Sequence, residues 1–342
     1  MHKPRILFRA DGNNKIGLGH IMRCIALSEM LSPNFNCVFL ISKPSLELQS
    51  IIRTFGDLIE LKSNTKIDEL FEITPLLLST DIVVTDGYDF NNVYLKYIKC
   101  RVHKLVVIDD LAKGEFIADL VINHGGEYIK DKYKTESYTR LLIGFDYLIV
   151  RKAFIQALTK NRVIDEIETV FICMGGADPF SVTTKVIKAC IKSGFVKNII
   201  VVIGNAYVNT NDLINLIENE NEGINIKLER NLSAELMVDM ISACQLSICP
   251  ASSISLEVCC VKSGLLTGTV IDNQFAIHEQ LIRKGCAMSI GDFNKATIED
   301  IITALNEVNS VERINELIRC QKLATMRVHN EELLKEFMKL SL

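Results

Sequence analysis

Short runs of Val, Ile and Leu alternate with amphipathic stretches along almost the whole of this 342-residue chain, and that alternation constrains the fold more than any other feature. The runs that read as strands are Ile6–Arg9, Cys37–Ile41, Ile82–Thr85, Leu105–Ile108 and Leu120–Ile122. A second series comprises Thr169–Met174, Ile199–Ile203, Ile226–Leu228, Leu246–Cys249, Leu265–Thr267 and Ala287–Ile290. Several are uninterrupted apolar runs, the pattern of strands covered on both faces. Helical spacing marks Leu18–Leu31, Asn91–Ile98, Ser181–Ser193, Asn211–Glu218, Ser233–Ser242, Ser253–Val261 and Gln274–Lys284. Such alternation predicts an α/β fold with parallel sheets. The segment Lys152–Glu168 carries alternating charge and no strand pattern, which places a boundary there. The expectation is two Rossmann-like domains, 1–160 and 161–310, facing a cleft, then a charged helical extension over 311–342 that either packs back across both domains or projects as a satellite. At about 150 residues per domain, the length agrees.

Composition removes several classes of function. The chain has 38 basic and 42 acidic residues, a net charge of −4, without the basic excess of a nucleic-acid-binding protein. Apolar residues at 48% and charged residues at 23% are ordinary for a folded chain, so no long disordered stretch is expected. No run of apolar residues is long enough to span a bilayer. The opening MHKPRILFRADG lacks the apolar core and cleavage site of a signal peptide. The 11 cysteines include no CxxC pair and no Cys/His cluster with zinc spacing. They read as reduced, buried thiols in a cytoplasmic protein that needs no metal or cofactor. A monomer is expected.

Chemistry concentrates in loops that follow strands. In Ala10–Arg23 a strand ends, a Gly/Asn-rich loop follows, and a helix opens near His20. Glycines there admit a ligand close to the backbone, and a helix N-terminus suits phosphate or developing negative charge. The same positive end favours a neutral imidazole, so His20 is a candidate general base; the plain alternative is a structural histidine at a helix start. After Thr169–Met174 comes Gly175-Gly176-Ala177-Asp178-Pro179, either a ligand-facing loop or a well-capped turn. Cys249–Glu257 places Ser252 and Ser253 at a helix start, with Glu257 one turn beyond Ser253. Hydroxyls and free N–H groups there suit a pyrophosphate and the carboxylate suits ribose hydroxyls; Ser capping with a solvated Glu is the alternative. Asp272-Asn273-Gln274 offers two amides for sugar groups, or an Asn N-cap. Thr85-Asp86-Gly87-Tyr88 and Asp109-Asp110 end two strands; their carboxylates fit a polar network better than a metal site, because no His or further acid accompanies them. His2, His103, His124, His278 and His329 show no ligand spacing and read as surface or core residues.

Together the segments RADGNNKIGLGHIMRC, VVTDGYD, VIDDLA, IGFDYLIVRKAF, FICMGGADP, PASSISLEVC and DNQ run in an order that resembles the PseG family of UDP-sugar hydrolases, relatives of the MurG-type branch of GT-B glycosyltransferases. The resemblance spans about residues 5–290. It implies a GT-B fold and hydrolysis of UDP-2,4-diacetamido-2,4,6-trideoxy-β-L-altropyranose to UDP and free sugar, on the route to pseudaminic acid. Residue by residue, it implies His20 as catalytic base and Gly17, Gly19, Tyr88, Asn273 and Gln274 on the sugar side. Gly175, Gly176, Ser252, Ser253 and Glu257 fall on the nucleotide side. Asp11, Arg23 and Arg151 also match, the last without an assigned role. The match fades after Pro179, and the stretch beyond Ser310 exceeds the shortest family members yet is too short for a fused acetyltransferase domain.

The implied partner is a small UDP-sugar, with no nucleic acid and no membrane span. Two other readings stand beside the hydrolase. One is a UDP-sugar glycosyltransferase of the same fold, with an acceptor hydroxyl in place of water; fold alone does not decide between them. The other is a nucleotide-sugar sensor without turnover.

Overall fold

The computed structural model describes residues 3–12, 18–328 and 330–342. The chain divides into two compact units, residues 1–152 with 328–342, and residues 153–327.

Unit 1 contains strands β1 (Arg5–Ala10), β2 (Asn36–Ser42), β3 (Asp57–Leu61), β4 (Ile82–Asp86), β5 (Lys104–Ile108), β6 (Glu115–Phe116), β7 (Leu120–Asn123), β8 (Lys134–Thr135) and β9 (Arg140–Ile143). Its helices are α1 (Gly19–Leu31), α2 (Leu46–Ile52), α3 (Lys66–Ile73) and α4 (Asn92–Lys99), together with a C-terminal helix described below. The main sheet is parallel, in the order β3-β2-β1-β4-β5-β7-β9, and β6 and β8 form a separate short ladder. Winding proceeds outward from β1 through β3, then restarts on the other side at β4. The strand order therefore reverses between β1 and β4, where Ala10 pairs with Asp86. In open α/β sheets the crevice beyond the strand ends at such a reversal is where ligands bind.

The apolar runs are explained by burial on both faces. Ile6, Phe8 and Ala10 of β1 join a core with Ile21, Cys24 and Ile25 of α1. Leu7 points the other way, into a core with Leu70 of α3 and Leu95 of α4. Period-2 alternation thus feeds two apolar layers instead of one apolar and one wet face.

Unit 2 repeats the plan. Its strands are β10 (Thr169–Ile172), β11 (Asn198–Ile203), β12 (Asn225–Arg230), β13 (Leu246–Pro250), β14 (Gly264–Thr269) and β15 (Met288–Asp292). The helices run α5 (Lys152–Ala157), which starts at the division, α6 (Val182–Lys192), α7 (Thr210–Asn219), α8 (Ala234–Ser242), α9 (Ser253–Val261), α10 (Phe275–Arg283), α11 (Ile298–Val308) and α12 (Val311–Ala324). All strands are parallel, in the order β12-β11-β10-β13-β14-β15, so the reversal lies between β10 and β13. Among the described residues no helix is long and apolar enough to cross a membrane. All eleven cysteines are free thiols.

The division falls at Lys152/Ala153, the start of the expected boundary segment Lys152–Glu168. Residues 311–342 follow the first of the two expected alternatives and divide between both units: α12 sends Ile314, Leu317 and Ile318 into the unit 2 core. The last helix, α13 (Asn330–Leu340), sends Leu333 and Phe337 into the unit 1 core. Phe337 meets Phe35 edge-on at 6.5 Å, and Glu336 pairs with Arg140. Apolar burial on opposite partners, invisible in a continuous helical pattern, splits the stretch. The strands β3, β6, β8 and β9 and the helices α2, α3, α5 and α11 also extend the expected set; α11 carries a Thr297/Asp300 capping box that marks its start.

Phe337 is fully buried, so Phe337→Ala is expected to destabilise unit 1 by about 3–5 kcal/mol in denaturant unfolding. A loss below about 0.5 kcal/mol, the range of surface substitutions, would show that α13 is peripheral to that core.

Candidate functional site

The unit 1 site joins the start of helix α1 to the C-terminal ends of three strands of its sheet. Helix α1 opens at Gly19 without a side-chain cap, so His20 sits in its first turn. Arg23, one turn on, shares that face. Asp86 is the last residue of β4, Asp110 lies two residues past β5, and His124 directly follows β7.

Arg23 joins these elements. Its Nε donates to Asp86 Oδ2 at 2.7 Å and its Nη2 to Asp86 Oδ1 at 2.6 Å. Its Nη1 donates to Asp110 Oδ1 at 2.6 Å and its Nη2 to Oδ2 at 3.0 Å. All three side chains are buried. Burial alone would push both carboxyls up, but the Arg23 charge and its hydrogen bonds hold each below the ordinary carboxylate range. His20 Nδ1 lies 2.7 Å from Asp86 Oδ1. With the carboxylate as acceptor, Nδ1 carries a proton, and in the neutral ring Nε2 is then the nitrogen with a lone pair. The Tyr88 hydroxyl donates to Asp110 Oδ2 at 2.8 Å, and its ring meets the His20 ring edge-on at 4.8 Å. His20, Tyr88, Asp11, Gly87, Asp89 and Phe90 line a small cavity.

Asp11 belongs to a second cluster. Arg9, buried on β1, donates to both Asp11 oxygens at 2.7 Å and to both Glu69 oxygens at 2.7 and 2.6 Å. Lys66 adds a contact to Asp11 Oδ2 at 2.9 Å, and the Ser42 N–H donates to Oδ1 at 3.1 Å. Burial raises the Asp11 carboxyl, yet Arg9 and Lys66 outweigh it and hold it at about 2. Its lone pairs are taken, so Asp11 forms a fixed anionic wall of the cavity.

In unit 2 the two expected loops lie side by side, after β10 and β13 at the strand reversal. Gly175 has a φ of +92°, a conformation L side chains avoid. Across it, a Cβ on Gly204 would sit 2.6 Å from the Gly176 backbone, so Gly204 is a residue the sequence reading did not single out. The helix ends beyond these loops differ. The Asp178 carboxylate accepts the Val182 and Thr183 N–H groups at 2.9 and 2.8 Å and occupies the start of α6. Ser252 is the N-cap of α9 and makes no side-chain cap bond, and the first turn of that helix carries no acidic residue. Glu257 is 7% exposed, so the solvated-Glu alternative does not hold. Gln274 is buried, with Oε1 accepting the Val270 N–H at 2.7 Å, and Asn273 stands beside it in a short 3₁₀ turn.

The structure therefore gathers His20, Arg23, Tyr88 and Asp11 in unit 1, and Gly175, Gly176, Ser252, Ser253 and Glu257 around the unit 2 reversal. Gly19 opens α1 with open space where a Cβ would stand. Gly17 lies outside the described residues. Arg151 directly precedes α5. Asp86 and Asp110, read from sequence as polar-network residues, are the partners of His20 and Arg23. His124 is the residue whose place the sequence hid: it is fully buried, with Nε2 3.3 Å from Arg23 Nη1 and Nδ1 accepting the Ile149 N–H at 3.2 Å. Its only sequence mark is its position just past a strand end. Among the described residues no group of three or more His, Cys, Asp or Glu side chains is arranged to hold a metal ion.

No family model matches the chain. Over 82% of its length it is 25% identical to the UDP-2,4-diacetamido-2,4,6-trideoxy-beta-L-altropyranose hydrolase of Campylobacter jejuni, covering 97% of that protein. It is 26% identical to the spore coat polysaccharide biosynthesis protein SpsG of Bacillus subtilis over 88% of both chains. It is 28% identical over 69% of its length to an uncharacterized protein of Methanocaldococcus jannaschii, and spans half, 50%, of that protein. Among solved structures, Acinetobacter baumannii MurG superposes with a TM-score of 0.65 at 13% identity, covering 98% of this chain and 99% of MurG. The spinosyn rhamnosyltransferase SpnG superposes with a TM-score of 0.69 at 12% identity, covering 98% of this chain and 100% of SpnG. Both are GT-B glycosyltransferases, and the chain has that α/β fold.

His124 gives the site a pH signature. Burial, reinforced by the Arg23 charge, lowers it from 6.5 to about 4. Between these values the unfolded chain binds the proton and the folded one does not. Stability from this residue is therefore whole above pH 6.5 and falls as pH drops to 4, by about 3 kcal/mol in total. Unfolding curves from pH 7 to 4 should show that slope, and His124→Asn should flatten it; an unchanged slope would rule His124 out as its source.

Proposed function

We propose that this protein is a UDP-sugar hydrolase that releases UDP and the free sugar from UDP-2,4-diacetamido-2,4,6-trideoxy-β-L-altropyranose, and that it works as a cytoplasmic monomer without a metal or cofactor. The observation that carries the reading is the 2.7 Å contact between His20 Nδ1 and Asp86, which leaves Nε2 as a proton acceptor over the cavity with Tyr88. The similarity to the Campylobacter jejuni hydrolase over most of both chains supports the substrate class.

Water attacks the anomeric carbon with inversion. A C–O bond forms, the bond from that carbon to the diphosphate oxygen breaks, and UDP leaves with the electron pair. The water proton passes to His20 Nε2. Asp86 holds the imidazole in the accepting tautomer and stabilises the imidazolium once formed, as an orienting carboxylate does in hydrolytic triads. The open end of α9, with Ser252 and Ser253, takes the diphosphate and stabilises the charge of the leaving group. The Gly175-Gly176 loop borders it, Glu257 accepts from ribose hydroxyls, and Asn273 and Gln274 serve the sugar. On this reading the product is a free diacetamido sugar, an intermediate on the route to pseudaminic acid.

The GT-B fold, shared with MurG and SpnG, favours a second reading in which an acceptor hydroxyl replaces water. Turnover in ¹⁸O-water without acceptor and with EDTA separates the two. The hydrolase reading expects label in the free sugar and none in UDP. Label in phosphate would mean attack at phosphorus, and no turnover without an acceptor would favour transfer. His20→Ala is expected to lower kcat by about 10²–10⁴-fold while UDP affinity stays within a few-fold, and Asp86→Asn to lower kcat while retaining the fold.

A further inference from the structure

We propose that a groove on unit 1, next to the His20 cavity, is a binding pocket for an acetamido group of the substrate sugar; this rests on the UDP-sugar reading above. The groove measures about 530 Å³, within the range of small-molecule sites. Gly87, Tyr88 and Phe90 line both it and the His20 cavity. A ligand whose reacting carbon stands at His20 therefore continues past Tyr88 into the groove.

Its lining selects the group. Val93 and Leu111 give apolar walls, and Val93 is 73% exposed, a large apolar side chain left to solvent on a polar-rimmed surface. Asn91 spends its Oδ1 on the Tyr94 N–H at 3.0 Å, the N-cap bond of α4, and keeps its Nδ2 as a donor. Asn92 adds a second amide. Lys113, Glu115 and Asp109 line it, one cation against two carboxyl groups, so the groove has no excess of positive charge. A phosphate would meet one cation opposed by two carboxyl groups, and an alkyl chain would meet a polar rim. An acetamido group satisfies all parts at once: its methyl fits Val93 and Leu111, its carbonyl accepts from Asn91 Nδ2 or Lys113, and its N–H donates to Asn92 Oδ1. Asn91, Val93 and Leu111 are then the specificity-determining residues, because a site built to pair an amide leaves polar groups unmatched when that amide is missing.

Two variants test this. Val93→Trp fills the groove from an exposed position, and Asn91→Asp keeps the cap acceptor while removing the amide donor. The first readout needs no turnover: saturation-transfer NMR with N-acetylglucosamine and glucose as probes. The wild-type protein should saturate the acetyl methyl of N-acetylglucosamine and leave glucose unsaturated, and both variants should weaken probe binding by about tenfold or more. Equal saturation of the two probes, no saturation of the acetyl methyl, or undiminished saturation in Val93→Trp would overturn the assignment. In steady state, Val93→Trp should raise KM for the diacetamido UDP-sugar by about tenfold with kcat within about threefold; an unchanged KM also overturns it. A wild-type protein that binds the acetylated probe in the groove but turns over no UDP-sugar would sink the hydrolase reading and leave the pocket standing.

Discussion

A guanidinium held between two buried carboxylates organises the unit 1 site. Arg23 reaches from the first turns of α1 to the end of β4 at Asp86 and to the residues past β5 at Asp110. None of the three charges is stable alone in that position, since a buried charge without its partner costs several kcal/mol. Paired, they lock a helix start to two strand ends. His20 and Tyr88 then inherit fixed positions, because each bonds to a carboxylate whose orientation Arg23 has already set. His124 completes the enclosure, and its neutral ring avoids adding a cation beside Arg23.

The same sheet geometry recurs in unit 2 with different chemistry at its edge. In each unit the strand order reverses beside the first strand, and the two loops that flank the reversal carry the polar groups. Unit 1 fills that place with titratable side chains and a histidine. Unit 2 fills it with glycines, hydroxyls and helix starts, which suit an anion. Asp178 sharpens the contrast: its carboxylate occupies the start of α6, whereas Ser252 makes no side-chain cap bond at the start of α9. One sheet edge thus carries an ion-paired cluster with a histidine and the other carries glycines and hydroxyls.

The strands were largely legible because a strand buried on both faces must be an unbroken apolar run, as Ile82–Thr85 and Leu246–Cys249 are. The edge strand β3, half-exposed, lacks that mark. His20 was legible because a strand, a glycine loop and a helix start place it at a sheet edge within a few residues of chain. Glu257 was legible by position only; its burial decided against a solvated role. His124 was not legible, since its partner Arg23 is 101 residues away and no spacing rule reaches that far.

By itself the sequence determined what local physics controls: the parallel α/β class, the repeated strand–loop–helix units, and the residue types offered at the strand ends. Only the tertiary structure decided which of them meet. It brought Asp86 and Asp110 onto Arg23, set Asp11 among cations that saturate it, and sent α12 and α13 to different units. The reason is that propensity and periodicity act within a turn or two of chain. Buried ion pairs and apolar burial act between segments that are neighbours only after the sheets have assembled.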